Sequence, residues 1–198
     1  RRLLDVGSGP GGFVRLADQN GWDATALELN ESSSRQLEAE GYKVIVKQLE
    51  LTDLKSESFD LISFWEVLEH LGEPLDVLVA ARKLLAPGGL ILVMVPNVES
   101  LVTRLLHEKS NTFGGHSHLN HFSPATLARI CRQAGLKVLE METVITELGS
   151  INNYLAFEDP YVGQAPIFHS GLSPAFIHEN LWGSRLLAIL TSAYKIAR

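Results

Sequence analysis

Leu3-Leu4-Asp5-Val6-Gly7-Ser8-Gly9-Pro10-Gly11-Gly12, running into Phe13 and a helical pattern over residues 12–19, decides how the rest of the chain is read. A short apolar run, a cluster of glycines and an apolar-periodic segment, in that order, describe a strand, a tight turn and a helix. Glycine lets the backbone pass close to a ligand. The first turn of the following helix presents N–H groups to negative or electron-rich atoms. The segment reads as a small-molecule cradle.

Outward from it, apolar runs at 3–6, 24–29, 43–47, 61–64 and 90–95 alternate with helical patterns at 12–19, 31–40 and 74–86. Gly41 and Pro87-Gly88-Gly89 supply the stops. This alternation predicts an α/β fold with a doubly wound, mostly parallel sheet. Residues 98–122 carry Gly114-Gly115 and a histidine cluster, and read as a loop with one helix near 99–107. Ser123-Pro124 opens a further helix whose apolar stripe is Leu127, Ile130, Cys131 and Ala134, and a sixth strand follows at 137–144. Residues 147–183, with Pro160, Pro166 and Pro174 among glycines and aromatics, read as an irregular excursion lining a pocket. Residues 186–196 read as a final helix, and no convincing seventh strand is found.

A chain of 198 residues suits one domain spanning 1–198. Arg1-Arg2 leads straight into a strand, which predicts that residues precede this chain; the missing seventh strand predicts a shortened or altered C-terminal end. Residues 1–97 hold nine basic against fifteen acidic side chains, and the remainder eight against eight, so the whole net charge of -6 lies in the first half. That balance disfavours nucleic acid as a partner, because phosphate contacts call for a basic face. One cysteine, Cys131, excludes an internal disulfide framework and points to a reducing cytoplasm. No run reaches the roughly 18 apolar residues of a spanning helix. The apolar face of the expected last helix leaves membrane-surface contact and a homodimer open, with core packing the simpler role.

Gly7, Gly9 and Gly12 also satisfy the GxGxxG spacing of dinucleotide enzymes, so the glycines alone do not choose a cofactor. Asp5 lies in the strand two places before the first glycine, and Glu28 closes the second strand, where a carboxylate accepts both hydroxyls of a ribose. After the fourth strand comes Trp65-Glu66-Val67-Leu68-Glu69-His70-Leu71. On a helix, Glu66, Glu69 and His70 would share one face. Two carboxylates and an imidazole suit a divalent ion such as Mg²⁺, Mn²⁺ or Zn²⁺, or a general base oriented by acids.

Four motifs in order carry a resemblance. Leu3 to Gly11, Ala26-Leu27-Glu28-Leu29-Asn30, Phe59-Asp60-Leu61-Ile62 and Leu84-Leu85-Ala86-Pro87-Gly88-Gly89-Leu90 resemble the successive motifs of class I S-adenosylmethionine-dependent methyltransferases. The resemblance implies their Rossmann-like fold, with residues 1–97 as the cofactor-binding core and 98–122 and 147–183 as substrate or lid segments. It also implies that Gly7 and Gly9 face the methionine part of the cofactor, that Asp5 orders the loop and that Glu28 binds the ribose. Glu50 is preferred over Asp53 for the adenine, and Trp65 edges the cofactor. Glu66-Val67-Leu68-Glu69-His70 is similar to the Glu-x-x-Glu-His of ubiquinone-biosynthesis O-methyltransferases and of small-RNA terminal 2′-O-methyltransferases. There the glutamates and histidine hold a divalent metal, completed by a histidine of a later His-Phe pair. The corresponding set here is Glu66, Glu69, His70 and His121. Without a metal, His70 or His121 would be the general base; His116 and His118 are less persuasive.

The implied function is methylation of a small-molecule hydroxyl. Methyl transfer from a sulfonium asks chiefly for alignment and dryness, and an oxygen acceptor must also lose a proton. Phe113, Tyr154, Phe157, Tyr161, Phe168, Phe176 and Trp182 supply aromatic surface in the lid segments. The alternatives are an NAD-dependent oxidoreductase on a similar glycine loop, a non-catalytic cofactor-binding regulatory protein, and RNA 2′-O-methylation, which the acidic first half disfavours.

Overall fold

The computed structural model describes residues 1–113, 117–144, 148–161 and 185–192. Seven strands form one sheet in the order β3-β2-β1-β4-β5-β7-β6. The first five, β1 (Arg2–Val6), β2 (Asp23–Leu27), β3 (Lys43–Ile45), β4 (Phe59–Trp65) and β5 (Leu85–Pro96), are mutually parallel. Helices α1 (Gly12–Gln19) and α2 (Glu31–Ala39) connect β1 to β2 to β3, and α3 (Pro74–Leu84) connects β4 to β5. The chain thus winds outward from β1 in one direction and from β4 in the other.

Burial on both faces explains why the strands read as nearly unbroken apolar runs. Leu3, Ala24 and Ala26 pack with Val14 and Ala17 of α1 and Leu37 of α2. Leu4, Val6, Ile62, Phe64, Ile91, Val93 and Val95 belong to a second cluster with Val77, Leu78 and Ala81 of α3 and with Leu127 and Cys131 of α5 (Pro124–Gln133). Local chemistry starts the helices. The Asn30 side chain accepts from the Ser33 N–H to cap α2, and Ser123 forms a reciprocal cap with Thr126 ahead of Pro124 in α5. A short helix, α4 (Leu101–Leu106), follows β5.

Two expectations need amending. The Pro87-Gly88-Gly89 stop lies inside β5: Phe59 pairs with Leu85 and Leu61 with Leu90, so residues 86–89 bulge out of the ladder. The final helix expected over 186–196 is not formed over 186–192, and residues 193–196 lie outside the described residues. Arg185–Ser192 is β7, antiparallel to both β5 and β6 (Leu136–Val144), and it is the seventh strand that the sequence did not reveal. A short apolar run fits strand and helix equally by periodicity, and the unpaired backbone groups of β5 and β6 select the strand. The helical face expected to meet a membrane or a second copy is lost with it. Residues 147–183 contain α6 (Leu148–Leu155); the aromatics Phe168, Phe176 and Trp182 lie outside the described residues. No helix among the described residues is long and apolar enough to cross a membrane.

Gly11 begins α1 at φ 83°, and a Cβ on it would sit 2.2 Å from Leu37 Cδ2, which is fully buried. Gly11→Ala is therefore expected to lower the unfolding free energy by about 1–3 kcal/mol, the cost of a left-handed non-glycine residue plus overpacking, measured by urea denaturation.

Candidate active site

Strand order brings the two motif-bearing turns together. β1 and β4 are neighbours, with Val6 opposite Phe64, and it is between them that the winding reverses. At such a switch point the carboxyl ends of adjacent strands send their loops apart and leave a crevice. The glycine loop after β1 forms one wall, and the segment after β4 forms the other. A Cβ on Gly7 would lie 2.6 Å from Val67 Cγ2, so the walls touch at their base and only glycine fits.

The loop is fastened to β2. Gly7 and Ser8 donate their N–H groups to the Leu27 carbonyl at 2.8 and 3.3 Å, and the Ser8 hydroxyl donates to the Asp5 carbonyl at 2.8 Å. Glu28 is buried and accepts from the Gly9 N–H through one oxygen and from the Asn30 N–H through the other, both at 2.6 Å. Each oxygen keeps a lone pair for a further donor such as a ribose hydroxyl. No atom lies within 4 Å of a Cβ built on Gly9 or Gly12, whereas Gly7 and Gly11 abut Val67 and Leu37.

Asp5 sits beneath the loop, 2% exposed, and accepts a 2.7 Å hydrogen bond from the Ser63 hydroxyl of β4. Burial pushes its carboxyl up to about 7, against the lowering effect of the Ser63 bond and with help from the charge of Glu28. Trp65 packs edge-on against Phe13 with ring centroids 4.9 Å apart. Its buried indole N–H has no hydrogen-bond partner among the described residues, which suits an acceptor atom brought by a ligand. Glu50 stands exposed on the turn Leu49–Leu51, and Asp53 pairs with Lys47 at 3.5 Å. Sequence reasoning passed over Leu29, Val46 and Leu51, three exposed apolar side chains (57, 51 and 66%) just past β2 and β3. Single apolar residues among polar ones carry no periodic signal.

The acid-histidine motif is arranged differently from the helical-face expectation. Glu66 has φ 57°, and its N–H donates to the Met94 carbonyl, so the chain turns before the short 3-10 turn Leu68–His70. Glu66 is itself left-handed and lies outside the turn that carries Glu69 and His70, so the helical i, i+3, i+4 geometry does not apply. The Glu69 carbonyl accepts from the N–H groups of Leu119 and Asn120 at 2.7 and 3.0 Å, and the Asn120 amide donates to the Leu71 carbonyl at 2.6 Å. These bonds hold residues 117–121 against the turn.

The group that converges is Glu69, His70 and His118, with ligand atoms all within 4.8 Å of one another. The Glu69 side chain is buried, and the two imidazoles meet edge-on at 4.9 Å. His70 Nδ1 donates to the Ser117 carbonyl at 2.7 Å and His118 Nδ1 to the Thr112 carbonyl at 3.0 Å, so Nε2 of each ring is left as base or ligand. Glu66 and His121 are not part of this group. His121 is exposed and lies 5.4 Å from the Phe113 ring. His116 lies outside the described residues. Cys131 offers no nucleophile: burial pushes its thiol up to about 12.

A glycine turn at a switch point, edged by an acid closing β2 and by a histidine pair drawn from the segments after β4 and β5, belongs to a Rossmann-like S-adenosylmethionine-dependent methyltransferase fold. The family model described as a methyltransferase domain matches residues 1–141, and the chain belongs to that family. The ubiquinone biosynthesis O-methyltransferase of Bordetella avium is 31% identical over 183 positions, covering 78% of this chain and 73% of that protein. An S-adenosylmethionine-dependent methyltransferase from Archaeoglobus fulgidus superimposes with a TM-score of 0.69 at 20% identity, covering 96% of this chain and 85% of that one. The 1,6-didemethyltoxoflavin N1-methyltransferase of Burkholderia thailandensis, solved with S-adenosylhomocysteine, superimposes with a TM-score of 0.61 at 16% identity, covering 96% and 70%. The domain is an S-adenosylmethionine-dependent enzyme, which sets aside the NAD-dependent and non-catalytic readings.

Asp5 gives the fold a pH signature. Its folded pKa of about 7 exceeds the ordinary 3.8, so the native state binds the extra proton and stability falls as pH rises between these values, levelling off above. Relative to Asp5→Asn, which abolishes this titration, the native chain is expected to lose up to about 1.4 kcal/mol per pH unit across that window in urea denaturation.

Proposed function

We propose that the domain transfers the methyl group of S-adenosylmethionine to a hydroxyl oxygen of a small molecule. The observation that carries this reading is the convergence of Glu69 and His70, which follow β4, the strand beside the glycine loop, with His118 from the segment after β5. An oxygen acceptor must shed a proton as the carbon–oxygen bond forms, and a neutral imidazole supplies the base near neutral pH. The Bordetella avium relative carries O-methyltransferase in its name, in keeping with such an acceptor. Cys131, single and buried, suits a reducing cytoplasm.

In this reading the cofactor lies over Gly9. Gly7 and Gly9 border its methionine part, Asp5 steadies the loop from below, Glu28 takes the ribose hydroxyls and the Trp65 indole lines the crevice. Leu29 and Leu51 flank the adenine beside Glu50. Solvent is displaced from a pocket rich in acids, which favours the positive sulfonium until its charge is lost in the transfer.

The donor set also fits a divalent ion. Two imidazoles and one carboxylate match Zn²⁺, Mn²⁺ or Fe²⁺ better than Mg²⁺, which favours oxygen ligands. Glu69, His70 and His118 would hold the ion, whose chemistry is to lower the pKa of a bound hydroxyl. Each Nδ1–H bond to a carbonyl orients its ring for that purpose.

His118→Ala is expected to slow methyl transfer by about 10²–10⁴-fold while S-adenosylhomocysteine binds as before in calorimetry. His121→Ala is expected to leave the rate within a few-fold. The reverse ranking of the two histidines would reject this site. Glu28→Ala is expected to weaken S-adenosylhomocysteine by at least about tenfold, about 1.4 kcal/mol.

A further inference from the structure

A groove of about 590 Å³ opens over α4, lined by Val98, Thr103, Arg104, His107, Glu108 and Phe113. That size falls within the roughly 300–1,000 Å³ of small-molecule sites. It abuts the histidine cluster. The Phe113 ring packs on His121 at 5.4 Å, and Thr112, the residue before it, holds His118 by its carbonyl. Val98 is joined to Phe122 by a 3.0 Å backbone hydrogen bond, so one wall of the groove continues into the segment that carries His118 and His121.

The chemistry of the lining is divided. Val98 and Phe113 provide an apolar floor. The Thr103 hydroxyl is turned into a buried cluster with Ser100, Thr112 and the Asn97 carbonyl, and contributes no polar contact to the groove. Arg104, His107 and Glu108 are exposed and form the polar rim, two basic side chains against one acid. Their placement is built into the backbone. His107 ends α4 at φ 49° and ψ −128°, a conformation rare for a residue with a Cβ, and the chain reverses there into the turn His107–Lys109. That reversal sets His107 and Glu108 round the same groove as Arg104. Strain of this kind persists where the surroundings demand it, commonly at ligand sites.

We infer that this groove binds the methyl acceptor, and that the acceptor is amphipathic: an apolar or aromatic body against Val98 and Phe113, with an oxyanion at Arg104 and His107. The inference rests on the methyl-transfer reading above and adds the chemical class of the acceptor. A guanidinium grips a carboxylate or phosphate through two parallel N–H bonds, and the neighbouring imidazole adds a third donor.

Calorimetry on the full chain saturated with S-adenosylhomocysteine tests it, with 4-hydroxybenzoate, phenyl phosphate and p-cresol as probes. At least one anionic probe is expected to bind ten or more times tighter than uncharged p-cresol, and the better of the two identifies carboxylate or phosphate as the preferred oxyanion. Arg104→Ala and His107→Gly are each expected to remove the preference while S-adenosylhomocysteine affinity stays unchanged. Glycine accepts the backbone conformation at 107, so His107→Gly keeps the fold, which its melting temperature checks. Equal binding of the three probes, binding of none, or a preference that survives both substitutions overturns the inference. Failure of S-adenosylhomocysteine itself to bind is a separate result, which overturns the methyl-transfer reading and this inference with it.

Discussion

The parallel pairing of β1 with β4 is the constraint on which the rest of this structure depends. Leu3 to Val6 run alongside Leu61 to Phe64, and both strands end where the helical connections diverge. The glycine loop and the turn that carries Glu69 and His70 stand just beyond those ends. The contact between Gly7 and Val67 is the tightest expression of it, because a methyl group on Gly7 would force the two turns apart. The glycine is thus demanded twice, by its positive φ and by the neighbour that closes over it.

Electrostatics follow from that geometry. Asp5 and Glu28 come from adjacent strands, and the glycine loop covers both. Glu28 is compensated by two backbone N–H groups, while Asp5 accepts from a hydroxyl, and burial raises the pKa of Asp5. The same bonds that compensate Glu28 also tie the glycine loop to the start of α2, so one carboxylate serves both the shape of the cradle and its charge.

On the opposite wall, backbone hydrogen bonds arrange the group of Glu69, His70 and His118. The Glu69 carbonyl draws in Leu119 and Asn120, and carbonyls of Ser117 and Thr112 orient the two imidazoles. None of these partners is close in sequence to Glu69, and three of them belong to a segment rich in glycine and histidine that has no periodicity of its own. The sequence marks the segment only by its composition. It cannot rank His118 above His121, since both precede Phe122 by a few residues and differ only in how the extended chain is held.

What the sequence determined by itself is local or repetitive. The alternation of apolar runs with helical patterns, the glycine turn after β1, the Ser123 cap and the acid closing β2 are readable because propensity, burial periodicity and turn chemistry act within a few residues. Tertiary structure alone decided the rest. It made a strand of Arg185–Ser192, because β5 and β6 offered edges to pair, and it turned Glu66 away from the face shared on paper by Glu69 and His70. It also chose the histidine that meets them. Each of these outcomes is a contact between segments distant along the chain, and such contacts leave no periodic trace in the residues that make them.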